Sequence, residues 1–200
     1  MIAHFLVGFG LSYIGSLPIG MINVTAANIA LQKSTRLAIV FSVGAALVEL
    51  VQGLVALQFT DYFFDNAWIE QTINYAALPI FVLIAFYYLF SKTDVKPSKN
   101  ASNKSYFFKG VAVSSLNLLA IPYWIVNGTY WESVGWVKME TWSLVSMSIG
   151  IGFGTLALLL CYIFAANRFK EKFKSFAKHS NKVVAVFFFG LAIFQLTRIL

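Results

Sequence analysis

Residues 37–59 read LAIVFSVGAALVELVQGLVALQF, and this stretch decides the fold. Twenty-three residues pass with one charge, that of Glu49. A helix needs about 20 mostly apolar residues to cross the hydrocarbon core of a bilayer. Five further apolar stretches flank this one: 2–31, interrupted at Pro18 and Gly20; 76–90; 107–130, with Pro122 inside; 142–166; and 183–200. Strands of a membrane barrel would alternate lipid-facing and lumen-facing residues. The run VVAVFFF at 183–189 does not alternate, so helices are expected.

Composition agrees. Of 200 residues, 59% are hydrophobic and 12% are charged. Soluble domains carry roughly 25% charged residues, and a globule of this size cannot hide so much apolar surface. A soluble enzyme, a disordered chain and a soluble nucleic-acid binder are therefore excluded. The net charge of +7 has a different origin. Lys33 and Arg36 follow the first span, Lys92, Lys96, Lys99, Lys104 and Lys109 surround the middle of the chain, and the segment 168–182 carries six more bases. These alternate loops hold thirteen of the fifteen basic residues. The loops between them carry Asp61, Asp65 and Glu70, and then Glu132, Lys138 and Glu140. Basic loops stay in the cytoplasm, so both termini are expected outside. The 168–182 run reads first as such a loop and second as an anionic-lipid patch. No Lys or Arg precedes Lys33, unlike an ordinary signal peptide.

The expected fold is an all-α membrane protein of six transmembrane helices. It is expected to form one transporter domain over 1–200: a three-helix repeat at 1–92, a cytoplasmic linker at 93–105 rich in Lys, Ser and Asn, and a second three-helix repeat at 106–200. The first span reads Pro18-Ile-Gly-Met-Ile-Asn23-Val-Thr25, the fourth Pro122-Tyr-Trp-Ile-Val-Asn127-Gly-Thr129. The register shift is 104 residues, and three spans per half make the second repeat inverted. Interrupted helices at equivalent places in inverted repeats point to a transporter's binding site. Proline lacks an N–H and crowds the carbonyl four residues back, so Pro18 is expected to loosen Ile14 and Pro122 to loosen Leu118. Gly20 adds freedom to the first break. Asn23, Thr25, Asn127 and Thr129 offer partners for the freed groups. The plainer alternative is a pair of proline kinks with Asn and Thr as packing glue.

Glu49 lies near the middle of the second span. An acid there costs about 2.5–3.5 kcal/mol and is expected to face the bundle interior or water. Ser42, Ala45, Ala46, Gln52, Gly53 and Ala56 share its helical face and make it small and polar. Glu49 could hold a substrate ammonium or a cation, or carry a coupling proton. A structural hydrogen bond to a neighbouring helix is the rival role. The same register shift puts Phe153 opposite it, so the second half has no matching acid. Gln52, Asn117, Tyr123 and Trp124 are further candidates to line a cavity. Gly150, Gly152 and Gly154 suit close helix packing.

These residues resemble the LysE/RhtB type of amino-acid exporter. The family's first-span motif, Pro-Pro-Gly-Pro followed two residues on by Asn, is matched by Pro18, Gly20 and Asn23, with Ile19 and Met21 in place of two prolines. A basic turn, here Lys33 and Arg36, leads to a small-residue helix with an acid, here Gly44-Ala45-Ala46-Leu47-Val48-Glu49, where the family usually has Asp. Gly110, Leu116, Asn117 and Trp124 fit the fourth-span pattern, with Leu118 where proline is usual. The resemblance implies a secondary transporter in the bacterial plasma membrane. It implies export of amino acids or related small metabolites, coupled to the proton gradient by alternating access. The expected partners are the small solute, protons and the bilayer, and a homo-oligomer is compatible with the layout.

Rival readings are weaker. A thiol-relay electron carrier needs a pair of cysteines, and the chain has only Cys161. An inorganic-ion transporter of the same superfamily would want several carboxylates, His or Cys in its spans. His4 and His179 have no ligand-like spacing, so no metal site is expected. An intramembrane hydrolase would need a nucleophile with a base, and no span carries His or Lys near its middle. No cofactor and no enzymatic activity are expected. A purely structural membrane protein remains as the bland alternative.

Overall fold

The computed structural model describes residues 1–18, 20–60, 67–90, 102–117, 120–138 and 140–199. Among these residues the chain is helical, with no strand. The helices are α1 (Ile2–Gly15), α2 (Met21–Gln32), α3 (Thr35–Gln58), α4 (Ala67–Phe90), α5 (Asn103–Ser115), α6 (Ala120–Ser133), α7 (Thr141–Arg168) and α8 (Lys170–Ile199). Two of them, α3 and α7, are each long and apolar enough to cross a membrane. The pair α5 and α6 makes a third such span if taken together, bent by 65°. The expected linker at 93–105 falls mostly outside the described residues.

Local chemistry explains the boundaries. α1 stops at Ser16, whose N–H reaches the Ser12 carbonyl at 2.9 Å. Leu17 follows, and a residue before proline is pushed out of the helical region. The Ile14 carbonyl, which Pro18 cannot serve, accepts the Leu17 N–H at 3.1 Å instead, tightening the last turn. Gly20 caps α2 at φ −116 and ψ 177. This is extended backbone that any residue adopts, so the break does not need the freedom of glycine there. In the fourth span α5 ends at Ser115 and α6 begins at Ala120, upstream of Pro122. Pro122 sits in the first turn of α6, where a missing N–H breaks no helical bond; Leu118 lies outside the described residues. Ser34 caps α3 by accepting the Leu37 N–H at 3.2 Å, and Ser102 caps α5 by accepting that of Ser105 at 3.3 Å. Gly135, at φ 77, makes the left-handed turn after α6.

The chain divides into two compact units. The larger, Met1–Asp61 with Lys96–Lys170, contains α1, α2, α3, α5, α6 and α7. Its core joins Ala26 and Ile29 of α2 to Ala38, Phe41 and Ala45 of α3, Tyr106 of α5, and Leu159 and Ile163 of α7. Glycines let backbones meet at two crossings. Gly150 and Gly154 of α7 lie against the carbonyls of Phe5 and Phe9 in α1, and Gly44 and Gly110 bring α3 and α5 together on the carbonyls of Phe107 and Phe41. Small residues at a crossing are how apolar helices gain contact when lipid is as oily as their side chains. The outer surface matches: Leu6, Leu47, Val51, Phe153 and Phe164 are all exposed, as lipid contact requires.

The smaller unit, Tyr62–Val95 with Glu171–Leu200, holds α4 and nearly all of α8. Phe81 packs on Phe188 with ring centroids at 6.1 Å, and Phe86 meets Phe189 edge-on at 5.4 Å. Two expected loops are helical. Glu70 lies in α4, which begins before the apolar stretch, and the basic run of 168–182 forms the end of α7 and the first turns of α8, with Phe169 alone between. Lys and Glu are good helix formers, and Glu171 in the first turn complements the helix dipole.

Candidate functional site

The site is built on α3. Glu49 is 8% exposed, so its carboxyl faces the interior of the larger unit. Thr155 of α7 is its polar neighbour. Thr155 in turn shares a 2.7 Å hydrogen bond with Ser12 of α1. Both hydroxyl residues are buried. Glu49 also interacts electrostatically with Tyr123 of α6. The Tyr123 hydroxyl donates to the Leu11 carbonyl at 2.9 Å and lies against Gly15, where a side chain would collide with it. Thr155 of α7 and Tyr123 of α6, both neighbours of Glu49, thus bond adjacent residues near the end of α1.

A second cluster closes the break between α1 and α2. The Asn23 amide donates to the carbonyls of Ser16 at 2.9 Å and Pro18 at 3.1 Å. From α7 the Tyr162 hydroxyl donates to the Leu17 carbonyl at 2.8 Å. Thr155 and Tyr162 are two helical turns apart on one face of α7. The same helix therefore serves the carboxyl and the break.

The other candidates are placed as follows. Gln52, one turn beyond Glu49, directs its amide nitrogen to the main-chain carbonyl of Asn117 at 3.5 Å, and its side-chain oxygen is buried without a partner. Asn117 thus contributes backbone rather than side chain to this contact. Trp124 is 1% exposed, and its indole N–H has no acceptor. Thr25 is buried within α2. Asn127 and Thr129 bond back onto their own helix, at the carbonyls of Tyr123 (2.9 Å) and Ile125 (3.0 Å). The two halves therefore differ: Asn23 bridges a break, and its sequence counterpart does not. A groove of about 390 Å³ runs along α3 and the end of α5, lined by Leu47, Val48, Val51, Gln52 and Ser115.

Ser12 was not legible as a site residue. A lone serine in an apolar span carries no signal of a partner 143 positions away. Tyr123 had been legible only as a cavity-lining group. Among the described residues no three His, Cys, Asp or Glu side chains gather to hold a metal. Cys161 is exposed, with the Tyr13 hydroxyl 3.5 Å from its sulfur.

Apolar helices with lipid-suited surfaces around a buried carboxyl define a helical membrane protein. The chain belongs to the LysE type translocator family, which it matches over residues 13–198. It is thus a transporter of a small-molecule substrate. No curated protein and no solved structure matches the chain.

Proposed function

We propose that the protein exports amino acids or related small metabolites across the bacterial plasma membrane, driven by the proton gradient. In this reading six spans form two inverted three-helix repeats, with both termini outside and the interrupted first and fourth spans beside the solute path. Glu49 takes up and releases the coupling proton. Gln52 and Trp124 carry unsatisfied polar atoms suited to a zwitterion, since buried unpaired groups are costly unless a ligand or water completes them. The halves rock about this centre.

The observation that carries the reading is the setting of Glu49. A family translocator buries one carboxyl inside its helices, next to an interrupted helix. An acid in mid-membrane is functional by default. The test is uptake of labelled amino acids into proteoliposomes under an imposed pH gradient. Solute movement that needs the gradient in the wild type and is lost in Glu49→Gln supports the reading. Wild-type rate and pH dependence in Glu49→Gln remove Glu49 from the mechanism.

A further inference from the structure

We infer that His4 and the backbone of Lys138 form an acid-sensitive clasp that fastens the N-terminal end of α1 to the turn after α6, closed while the imidazole is neutral and open once it is charged. The Lys138 N–H donates to His4 Nε2 at 3.1 Å, across 134 positions of sequence. His4 Nδ1 is buried and has no partner. Which solution the clasp senses rests on the orientation in the proposed function; the clasp itself does not.

Imidazole chemistry makes this bond conditional. A ring nitrogen that accepts a backbone N–H carries no proton of its own. Nε2 is therefore the bare nitrogen of a neutral ring, and the ring proton sits on Nδ1, inside the protein and without an acceptor. Protonation puts a hydrogen on Nε2 as well, pointing at the Lys138 N–H. Two donors then face each other. Turning the charged ring does not help, because both of its nitrogens donate. It finds acceptors for them only by leaving its place for water. Histidine is the side chain whose ordinary charge change falls between pH 5 and 8. The contact is exposed, so the pH of the bathing solution reaches it.

The turn that His4 holds is tied to the end of α6. Trp136 and Val137 both donate to the Trp131 carbonyl, at 3.0 and 3.2 Å, and Gly135 donates to that of Glu132 at 2.9 Å. The Trp131 and Trp136 rings pack at 5.2 Å, and Val137 is buried. α1 keeps its hold on α7 whatever the state of His4: Ser146 donates to the Met1 carbonyl at 2.8 Å, and Gly150 lies against Phe5. Two ties thus join α1 to α6 and its turn, the Tyr123 hydroxyl on the Leu11 carbonyl and this clasp. A phenol titrates near pH 10, so only the clasp responds between pH 5 and 8. Acid releases one end of α6 while Tyr123 still holds the other. The charged groups that act on the ring are the Met1 amino group and the side chains of Lys138 and Glu140. α6 ends with Glu132, and neither α1 nor the first turns of α7 carry a charged side chain. In the proposed orientation this end faces the acid side of the gradient, so the clasp opens when there is a gradient to drive export.

The experiment is hydrogen exchange on the full-length protein in detergent, followed in a peptide spanning 134–138 and, as an internal control, in one spanning 5–12. It compares about pH 5 with about pH 8, with labelling times scaled to intrinsic rates. In the wild type the 134–138 peptide is expected to exchange about threefold faster at acid pH after scaling, what one hydrogen bond in contact with water is worth, and the control is expected not to change. His4→Phe is expected to be fast at both pH values. His4→Gln offers an acceptor that does not titrate and is expected to be slow at both. A wild type with no acid response overturns the clasp, as does the wild-type response in His4→Phe or in His4→Gln. An acid response of equal size in the control is general loosening and overturns it too. If His4→Phe is not monodisperse, His4→Gln alone decides. Neither solute nor gradient enters the measurement. Loss of the clasp would leave gradient-driven transport and its dependence on Glu49 standing, and wild-type transport by Glu49→Gln would leave the clasp standing.

Discussion

Asn23 and Asn127 occupy equivalent places in the two halves of the sequence, yet they do different work. Asn23 bonds two carbonyls across a break; Asn127 bonds one carbonyl of its own helix. Removing the first leaves two part-buried acceptors across the break unpaired, and removing the second returns a carbonyl to its helix. Asn23→Ala is therefore expected to cost about 1–3 kcal/mol, and Asn127→Ala about 0.5 kcal/mol or less. Thermal unfolding in one detergent compares them, and equal losses would mean that Asn23 does not hold the break. The importance of Asn23 was readable from Pro18-Ile-Gly-Met-Ile-Asn23, but its partners were not. A sequence shows that an amide stands near a proline and not which carbonyls the chain turns toward it.

Helix crossings set the next scale. At Gly150 even a methyl group meets the Phe5 carbonyl, whereas at Gly10 it meets nothing. Overpacking a tight contact costs typically 1–3 kcal/mol. Gly150→Ala is accordingly expected to lower stability by about that much, while Gly10→Ala raises it by about 0.5–1 kcal/mol through helix propensity. Unfolding midpoints of the two variants check the contrast. The glycines of α7 were legible as close-packing residues because Gly150 and Gly154, four residues apart, share one face. The partner helix was not, because any of the other spans could have supplied it. The proline breaks show a similar limit. Pro18 falls inside an interruption, but Pro122 lies in the first turn of α6, since the first turn is where a helix tolerates proline.

For the whole molecule, the proposed function makes two predictions about the chain in a membrane. Cys161→Ser is expected to leave gradient-driven transport intact, since an exposed lone thiol cannot form an intrachain disulfide; loss of transport would revive a thiol-based carrier. In that cysteine-free background, single cysteines placed within 93–105 and at the N-terminus are expected to react with impermeant reagents from opposite sides. Labelling from one side would overturn the orientation deduced from the basic loops.

Composition and hydropathy by themselves determined that this chain is a helical membrane protein, because apolar runs of such length have no other solvent to live in. They also singled out Glu49, because an acid there is too costly to be idle. Only the tertiary structure decided what surrounds it. Ser12, Tyr123 and Thr155 come from three other helices, and hydrogen-bond partners so distant in sequence are chosen by how the helices cross, a property that no single stretch of chain encodes.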